Sequence, residues 1–410
     1  EGNRFTIEKI STNVDEVFDK NIFFQLNKTY KELAGQYYSP FKIKEVLDEI
    51  DEIVISNNLQ FVEHNVQEEV KDDTINIIFN IFEGEKKLIE RINIKGNTVT
   101  NEDVIRGELI SDEGDPFILV GLEKSISKLK SRNIFKDVKY EIIDGSDSNL
   151  KIVDIIVEER PTGEISAGAG VGTSGGALSF GVKENNWLGT GKAVEFKMDL
   201  DEESLSGILD FSDPNYNYLG NSINYFLKSE SNDKPDQGYE NTVVSTGVGT
   251  SFEQYKDLRV SLGTSFSYDD LRTLSSATDA LKKNSGEFTE LSVNYGLSHD
   301  KRDRTFMPTS GGVTSFSQTI PVYADKSFIS NTFAHSSYKS LTENIVGAGK
   351  FYVSSINGLG SDDVRLSKRR SLSGKRLRGF EKGKVGPLDG TDHIGGNYSA
   401  ALNFEANLPN

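Results

Sequence analysis

From residue 163 onward the chain alternates. Apolar and polar side chains change places every second residue, in segments of about ten separated by Gly, Asn, Asp and Ser clusters. That is the period of a strand with two unlike faces. Residues 193–201 show it best: Val194, Phe196, Met198 and Leu200 share one face, and Glu195, Lys197, Asp199 and Asp201 the other. Twelve such segments lie near 163–173, 175–185, 193–201, 203–212, 220–230, 240–253, 257–269, 287–299, 312–322, 328–341, 345–356 and 397–408. A soluble sandwich also alternates. Here no helical stretch covers a sheet, and aromatics sit at segment ends (Trp187, Tyr216, Tyr218, Tyr323, Tyr352), where membrane–water girdles belong. In lipid every backbone group is paired internally, so the pattern predicts an antiparallel transmembrane β-barrel.

The first 160 residues follow another rhythm. A strand over 5–12 leads to helices over 21–34 and 41–56, the second with Ile43, Val46, Leu47, Ile50, Ile53 and Val54 on one face. Strands over 60–70 and 74–83 complete a β-α-α-β-β order. The order recurs: a strand Leu88–Lys95, a capping-box-like Thr100-Asn-Glu-Asp103, a helix over 118–131 carrying Leu122, Ile126 and Leu129, then strands over 137–144 and 150–158. Asn58-Leu59 and Asn133-Ile134 lie 75 residues apart, and Ile7-Glu-Lys-Ile10 echoes Ile89-Glu-Arg-Ile92. The pattern predicts two tandem α+β modules, 1–86 and 87–160, ahead of a barrel over 161–410. Exposed edges are normally blunted unless used. An unpaired strand edge in each is therefore expected to bind an extended peptide or partner by strand addition.

Composition narrows the picture. A net charge of -17 over 410 residues argues against a nucleic-acid partner. Gly is plentiful at 38 while Pro is only 9, and no run approaches the apolar length of a spanning helix. With no Cys there is no disulfide framework and no thiolate metal site. His64, His299, His335 and His393 lack metal-ligand spacing. Gly172-Thr-Ser174-Gly-Gly176 matches the nucleophile-elbow pattern, but the helix that pattern needs is absent, so it reads as a turn between strands. Asp300-Lys-Arg-Asp303-Arg304 reads as a solvated turn. No cofactor site and no enzyme activity are expected.

One segment breaks the alternation: 357–395, too long for an ordinary connection. Six basic residues fall there between Lys368 and Arg378 (Lys368, Arg369, Arg370, Lys375, Arg376, Arg378), in an acidic chain. Its Leu377-Arg378-Gly379-Phe380 resembles the Arg-Gly-Phe/Tyr signature of the sixth extracellular loop in the BamA outer-membrane assembly family. Three further stretches are similar to that family: Glu158-Glu-Arg160-Pro-Thr-Gly163 running into Gly168-Ala-Gly170-Val-Gly172, Asn185-Asn186-Trp187-Leu188-Gly189-Thr190-Gly191, and Asp303-Arg304-Thr-Phe-Met-Pro308-Thr-Ser-Gly311. The modules resemble its polypeptide-transport-associated (POTRA) domains, the fourth and fifth of the usual five. The family barrel has sixteen strands; about twelve are present, so 1–410 is expected to be an internal piece.

What the resemblance implies is assembly and insertion of other barrels in the bacterial outer membrane, with POTRA domains in the periplasm. Its partners are nascent outer-membrane proteins, periplasmic chaperones, membrane lipids and BamD-like and other lipoproteins. The alternatives are a two-partner secretion transporter, a TamA-like barrel or, less consistent with residues 1–160, a passive porin. By the same resemblance Arg378 pairs with Glu405 on the lumen wall, Gly379 turns the chain there and Phe380 packs in the lumen. Breaking that pair is expected to strand a charge at about 3–5 kcal/mol. Glu113 is the expected contact for a BamD-like partner. The first barrel strand, with Ala167, Gly168, Ala169, Gly170 and Gly172, is expected to pair weakly and to form a lateral seam.

Overall fold

The computed structural model divides after Pro161 into two units, Glu1–Pro161 and Thr162–Asn410. It describes residues 5–57, 59, 61–71, 73–84, 87–172, 175–342, 345–374, 376–380 and 383–407.

In the first unit, β1 (Thr6–Val14), α1 (Leu26–Leu33), α2 (Pro40–Ser56), β2 (Val62–Lys71) and β3 (Thr74–Glu83) form one module. The second comprises β4 (Leu88–Lys95), α3 (Glu102–Arg106), α4 (Leu119–Ser131), β5 (Phe135–Asp144) and β6 (Leu150–Glu159). The last strand of each is central, in orders β1-β3-β2 and β4-β6-β5. The first strand lies parallel to it and the other antiparallel. A parallel pair needs a crossover, which the helix pair supplies. Leu26, Val46, Ile50 and Ile53 pack on Ile7, Ile75, Ile77 and Phe79. Ile126 and Leu129 do the same on Ile92, Val153 and Ile155.

The repeat extends to fine geometry. Each first strand carries a bulge at the echoed residues, between Ile7 and Lys9 and between Ile89 and Arg91. Between the helices Gly35 (φ 80°) and Gly114 (φ 92°) adopt left-handed backbone, the conformation that favours glycine. Their N–H groups donate to the Ile7 and Ile89 carbonyls at 2.8 and 2.7 Å. In this way the interhelix loops run beside the first strands, while β2 and β5 each have one unpaired edge among the described residues.

Two local expectations are corrected. The helix predicted over 21–34 is a 3₁₀ turn, Lys20–Gln25, followed by α1. The Asp19 carboxylate caps that turn by accepting the Asn21 N–H at 2.9 Å. The capping box does not form either: Asn101 occupies the N-cap of α3 without a side-chain bond. The N–H groups of Thr98, Val99 and Thr100 instead donate to Glu159 at 2.9, 3.0 and 2.6 Å. A carboxylate brought in by the central strand has displaced the local Asp103. Burial works to raise the pKa of Glu159, but the hydrogen bonds from Thr98, Thr100 and Val99 hold it down to about 2. Asn58, which the repeat pairs with Asn133, lies outside the described residues.

The second unit is one antiparallel sheet of twelve strands among the described residues. They are β7 (Gly163–Gly172), β8 (Gly175–Glu184), β9 (Ala193–Asp201), β10 (Ser204–Asp213), β11 (Ser222–Lys234) and β12 (Tyr239–Tyr255). Next come β13 (Leu258–Thr273), α5 (Asp279–Lys282), β14 (Gly286–Asp300), β15 (Gly311–Ala324), β16 (Phe328–Thr342) and β17 (Ile345–Gly358). A long loop holding the two-residue strands β18 (Leu388–Asp389) and β19 (Asp392–His393) leads to β20 (Tyr398–Asn407). The sheet runs from β7 at one edge to β20 at the other.

Its register aligns one apolar face. Leu178 stands opposite Leu200, Phe180 opposite Met198, and Phe196 opposite both Val182 and Leu209. All seven are 40% to 56% exposed. The other face is polar and internally bonded: Asp199 accepts from Ser179 Oγ and Lys197 Nζ, both at 2.7 Å. Apolar side chains turned outward and charges turned inward are the arrangement of a barrel wall in lipid.

The turns are wired by their own polar groups. Asn186 Oδ1 accepts the Gly191 N–H and Asn215 Oδ1 the Gly220 N–H, each at 2.7 Å and five residues on. The same turn is therefore built twice, with Leu188 and Tyr218 in left-handed backbone (φ 53° and 60°). Asp303 likewise accepts the N–H groups of Thr309 and Ser310 at 2.9 and 3.1 Å, so that charged cluster is the internal staple of its turn. Tyr352 is not at a strand end; it lies within β17 opposite Ala401. Ser174 of the elbow-like motif is outside the described residues, and its flanks are the β7–β8 hairpin.

Candidate functional site

The long loop returns to the inner face of the sheet, where each described basic residue between 368 and 378 finds a recipient. Lys368 Nζ lies 2.9 Å from Glu290 Oε2, and Arg369 Nη2 lies 3.4 Å from Asp363 Oδ2. Arg370 bonds the Ser330 hydroxyl. The Arg376 guanidinium stacks 3.6 Å from the Tyr352 ring centroid, a cation–π contact. The Arg376 carbonyl accepts from Asn403 Nδ2 at 2.9 Å. Lys375 falls outside the described residues.

Arg378 and Glu405 are brought together, with Nη2 3.4 Å from Oε1. The environment of the pair differs from the expectation. The Arg378 side chain is 76% exposed, and Glu405 already holds Lys350 Nζ at 2.6 Å. Removing Arg378 therefore leaves Glu405 paired, and the stranded-charge cost of about 3–5 kcal/mol does not apply. Gly379 (φ 85°) makes a left-handed turn that a side chain would resist. Phe380 is 58% exposed among the described residues. The tip sits at the wall without being buried in it.

A cluster that sequence reading missed is far more enclosed. Arg365, 1% exposed, lies 3.2 Å from Glu290 and 3.6 Å from Asp269. Phe288 and Phe328 flank its guanidinium at 4.6 and 5.1 Å. A lone Arg three residues ahead of a basic run gave no local signal.

A family model described as the Omp85 superfamily domain matches residues 186–410, more than half of the chain. The chain belongs to the Omp85 superfamily. A second model, the surface antigen variable number repeat (POTRA), matches residues 88–160 of this Omp85 chain. Among curated relatives, the outer membrane protein assembly factor BamA of Neorickettsia risticii is 27% identical, over 82% of the chain and 46% of that protein. BamA of Neisseria meningitidis is 24% identical over 100% of the chain and 55% of its own length. The human sorting and assembly machinery component 50 homolog is also 24% identical, over 87% and 76%. The chain thus spans about half the length of the two BamA relatives. Of solved structures, BamA from Haemophilus ducreyi lacking POTRA domains 1-3 superposes with a TM-score of 0.67 at 21% identity, covering 98% of the chain and 82% of that one. CdiB from Acinetobacter baumannii gives 0.52 at 12% identity, covering 100% and 77%. This Omp85 protein is BamA-like: POTRA domains precede an outer-membrane barrel wall and belong to the periplasmic side.

Two further sequence-predicted positions lie apart from the loop, one in each unit. On β7, which among the described residues pairs with β8 alone, Ala167, Gly168, Ala169 and Gly170 are all exposed. Gly172 faces Gly175 at the hairpin end. A Cβ at Gly170 would meet nothing within 4 Å and at Gly168 only Ser179 at 4.0 Å, so packing does not demand these glycines. Glu113, in the interhelix loop, is not a free acid. It accepts the Ile92 N–H at 3.0 Å, beside the β4 bulge, and its Oε1 lies 3.6 Å from Arg106 Nη1. Its side chain nevertheless remains 43% exposed.

Proposed function

We propose that this protein assembles β-barrel proteins into the outer membrane, using strand edges where an enzyme would use a pocket. The observation that carries the reading is the strand edges left unpaired among the described residues: β2 and β5 in the POTRA modules and β7 in the sheet. An incoming strand gains backbone hydrogen bonds there, whereas in lipid each unpaired group costs several kcal/mol. The small, exposed side chains of β7 offer little packing to a neighbour, so its register is weakly specified. That suits a lateral seam that opens and accepts a client strand. Arg378, Gly379, Phe380 and Glu405 act as a clasp between the long loop and the wall. The partners in this reading are nascent outer-membrane proteins, periplasmic chaperones, lipids and assembly lipoproteins, with Glu113 facing a BamD-like one. Because Glu113 also holds the loop to β4, its substitution acts on the shape of that contact as well as its charge.

The test is a disulfide between β7 and the last barrel strand of the full-length protein. Insertion of client barrels should stop when the bridge is oxidised and resume on reduction; undiminished insertion would remove the seam from the mechanism. Glu113→Lys should abolish co-purification of a BamD-like lipoprotein. The second reading, a two-partner secretion transporter, draws on the fold likeness to CdiB. It predicts a single exported substrate and no effect of the seam bridge on other barrels.

A further inference from the structure

The buried group around Arg365 has no part in the clasp. Its ligands come from three separate places: Asp269 on β13, Glu290 on β14 and Arg365 with Lys368 at the start of the long loop. Asp269 is further held by Asn241 Nδ2 at 2.8 Å and Ser367 Oγ at 2.7 Å. Apolar groups close the site: Leu366 packs with Tyr239, Leu271 and Phe288, and Val364 with Phe328 and Ile356. Asp269 and Glu290 are 1% and 6% exposed, against 76% for the Arg378 side chain. Arg365 and Lys368 face Asp269 and Glu290, and Asp325 also bears electrostatically on Arg365, so lifting the loop withdraws both of its cations from the two wall acids. Separating ion pairs enclosed in this way is costly. The loop's position and the pairing are thus one event.

We propose that Arg365, assisted by Lys368, is the positioning residue that seats the long loop on the β13–β14 wall, independently of the Arg378–Glu405 contact. The loop then has two attachments of unlike strength. The buried one at its base fixes the loop over the inner face, and the exposed one at its tip adjusts it. This inference rests on geometry alone and stands whether or not the assembly reading is right.

The experiment uses the full-length protein in intact cells, with protease cleavage within 368–388 as the readout and heat-modifiability on gels as the check on barrel folding. Arg365→Met should raise the cleavage rate about tenfold or more, since cleavage follows the population of the lifted state. Arg378→Ala should change it far less. The triple variant D269N/E290Q/R365M removes the stranded charges while leaving the loop unpaired. It should restore heat-modifiability but keep the loop exposed to protease. A triple variant with wild-type loop protection would overturn the proposal, because Arg365 would then only compensate charge. So would a heat-modifiable Arg365→Met barrel cleaved at the wild-type rate, or equal effects from Arg365→Met and Arg378→Ala.

Discussion

Leu129 and Leu209 are the same side chain under opposite rules. Leu129 on α4 is 0% exposed, enclosed by the second POTRA core, whereas Leu209 on β10 is 47% exposed on the apolar face of the sheet. Among the described residues both units bury a few charges, Asp51, Glu108 and Asp154 in the first and Asp269, Glu290, Arg365 and Asp392 in the second, so it is the apolar side chains that tell the two apart. The first unit is built to exclude water from its centre; the second is built to exclude lipid from its centre. One chain therefore switches solvent at Pro161, and a burial rule learned on one half misreads the other.

Substitutions that exchange the two rules break the comparison most sharply. Leu129→Ala leaves a cavity in a closed core and should cost about 2–5 kcal/mol. Urea unfolding read by helical circular dichroism, which comes almost wholly from the first unit, measures it. Leu209→Ala should cost little, but Leu209→Arg, a charge facing lipid, should lose about 2–4 kcal/mol near the midplane. Barrel stability in bilayers, followed by heat-modifiability, separates these; a harmless arginine there would mean the face does not meet lipid. Arg378→Ala, at an exposed pair whose acid keeps Lys350, should cost about 1 kcal/mol or less and weaken further with salt.

The smallest effect is a titration. With its pKa held down to about 2 from an ordinary 4.5, Glu159 favours the fold above the ordinary value, and that contribution fades as pH falls from about 4.5 toward 2. Glu159→Gln should flatten the acid limb of the first unit's stability curve. An unchanged limb would show that the Thr98–Thr100 N–H groups do not depend on the carboxylate's charge.

The two kinds of periodicity were legible because each is local. Alternation needs only neighbours, and twelve segments matched twelve strands with ends within a few residues. The β-α-α-β-β repeat was equally visible, since helix faces and strand faces are set by spacing along the chain. Local chemistry misled where a distant group competed. Thr100 had a partner three residues away, yet Glu159 on the central strand took the N–H groups. Tyr352 looked like a girdle residue until the loop placed Arg376 over its ring.

The loop divides sequence from structure most clearly. Its length, its six basic residues and the Arg-Gly-Phe motif are explicit in the sequence, and the family resemblance implies Glu405 as a partner for Arg378. What the sequence did not contain was the depth of each contact. Arg365 meets Glu290 across 75 residues and Asp269 across 96, through strand register and the loop's path, and neither leaves a periodic trace. By itself the sequence determined the strands, the modules and the family. Only the tertiary structure decided which arginine is enclosed and which lies in the open, because burial depends on what the whole sheet brings around a side chain.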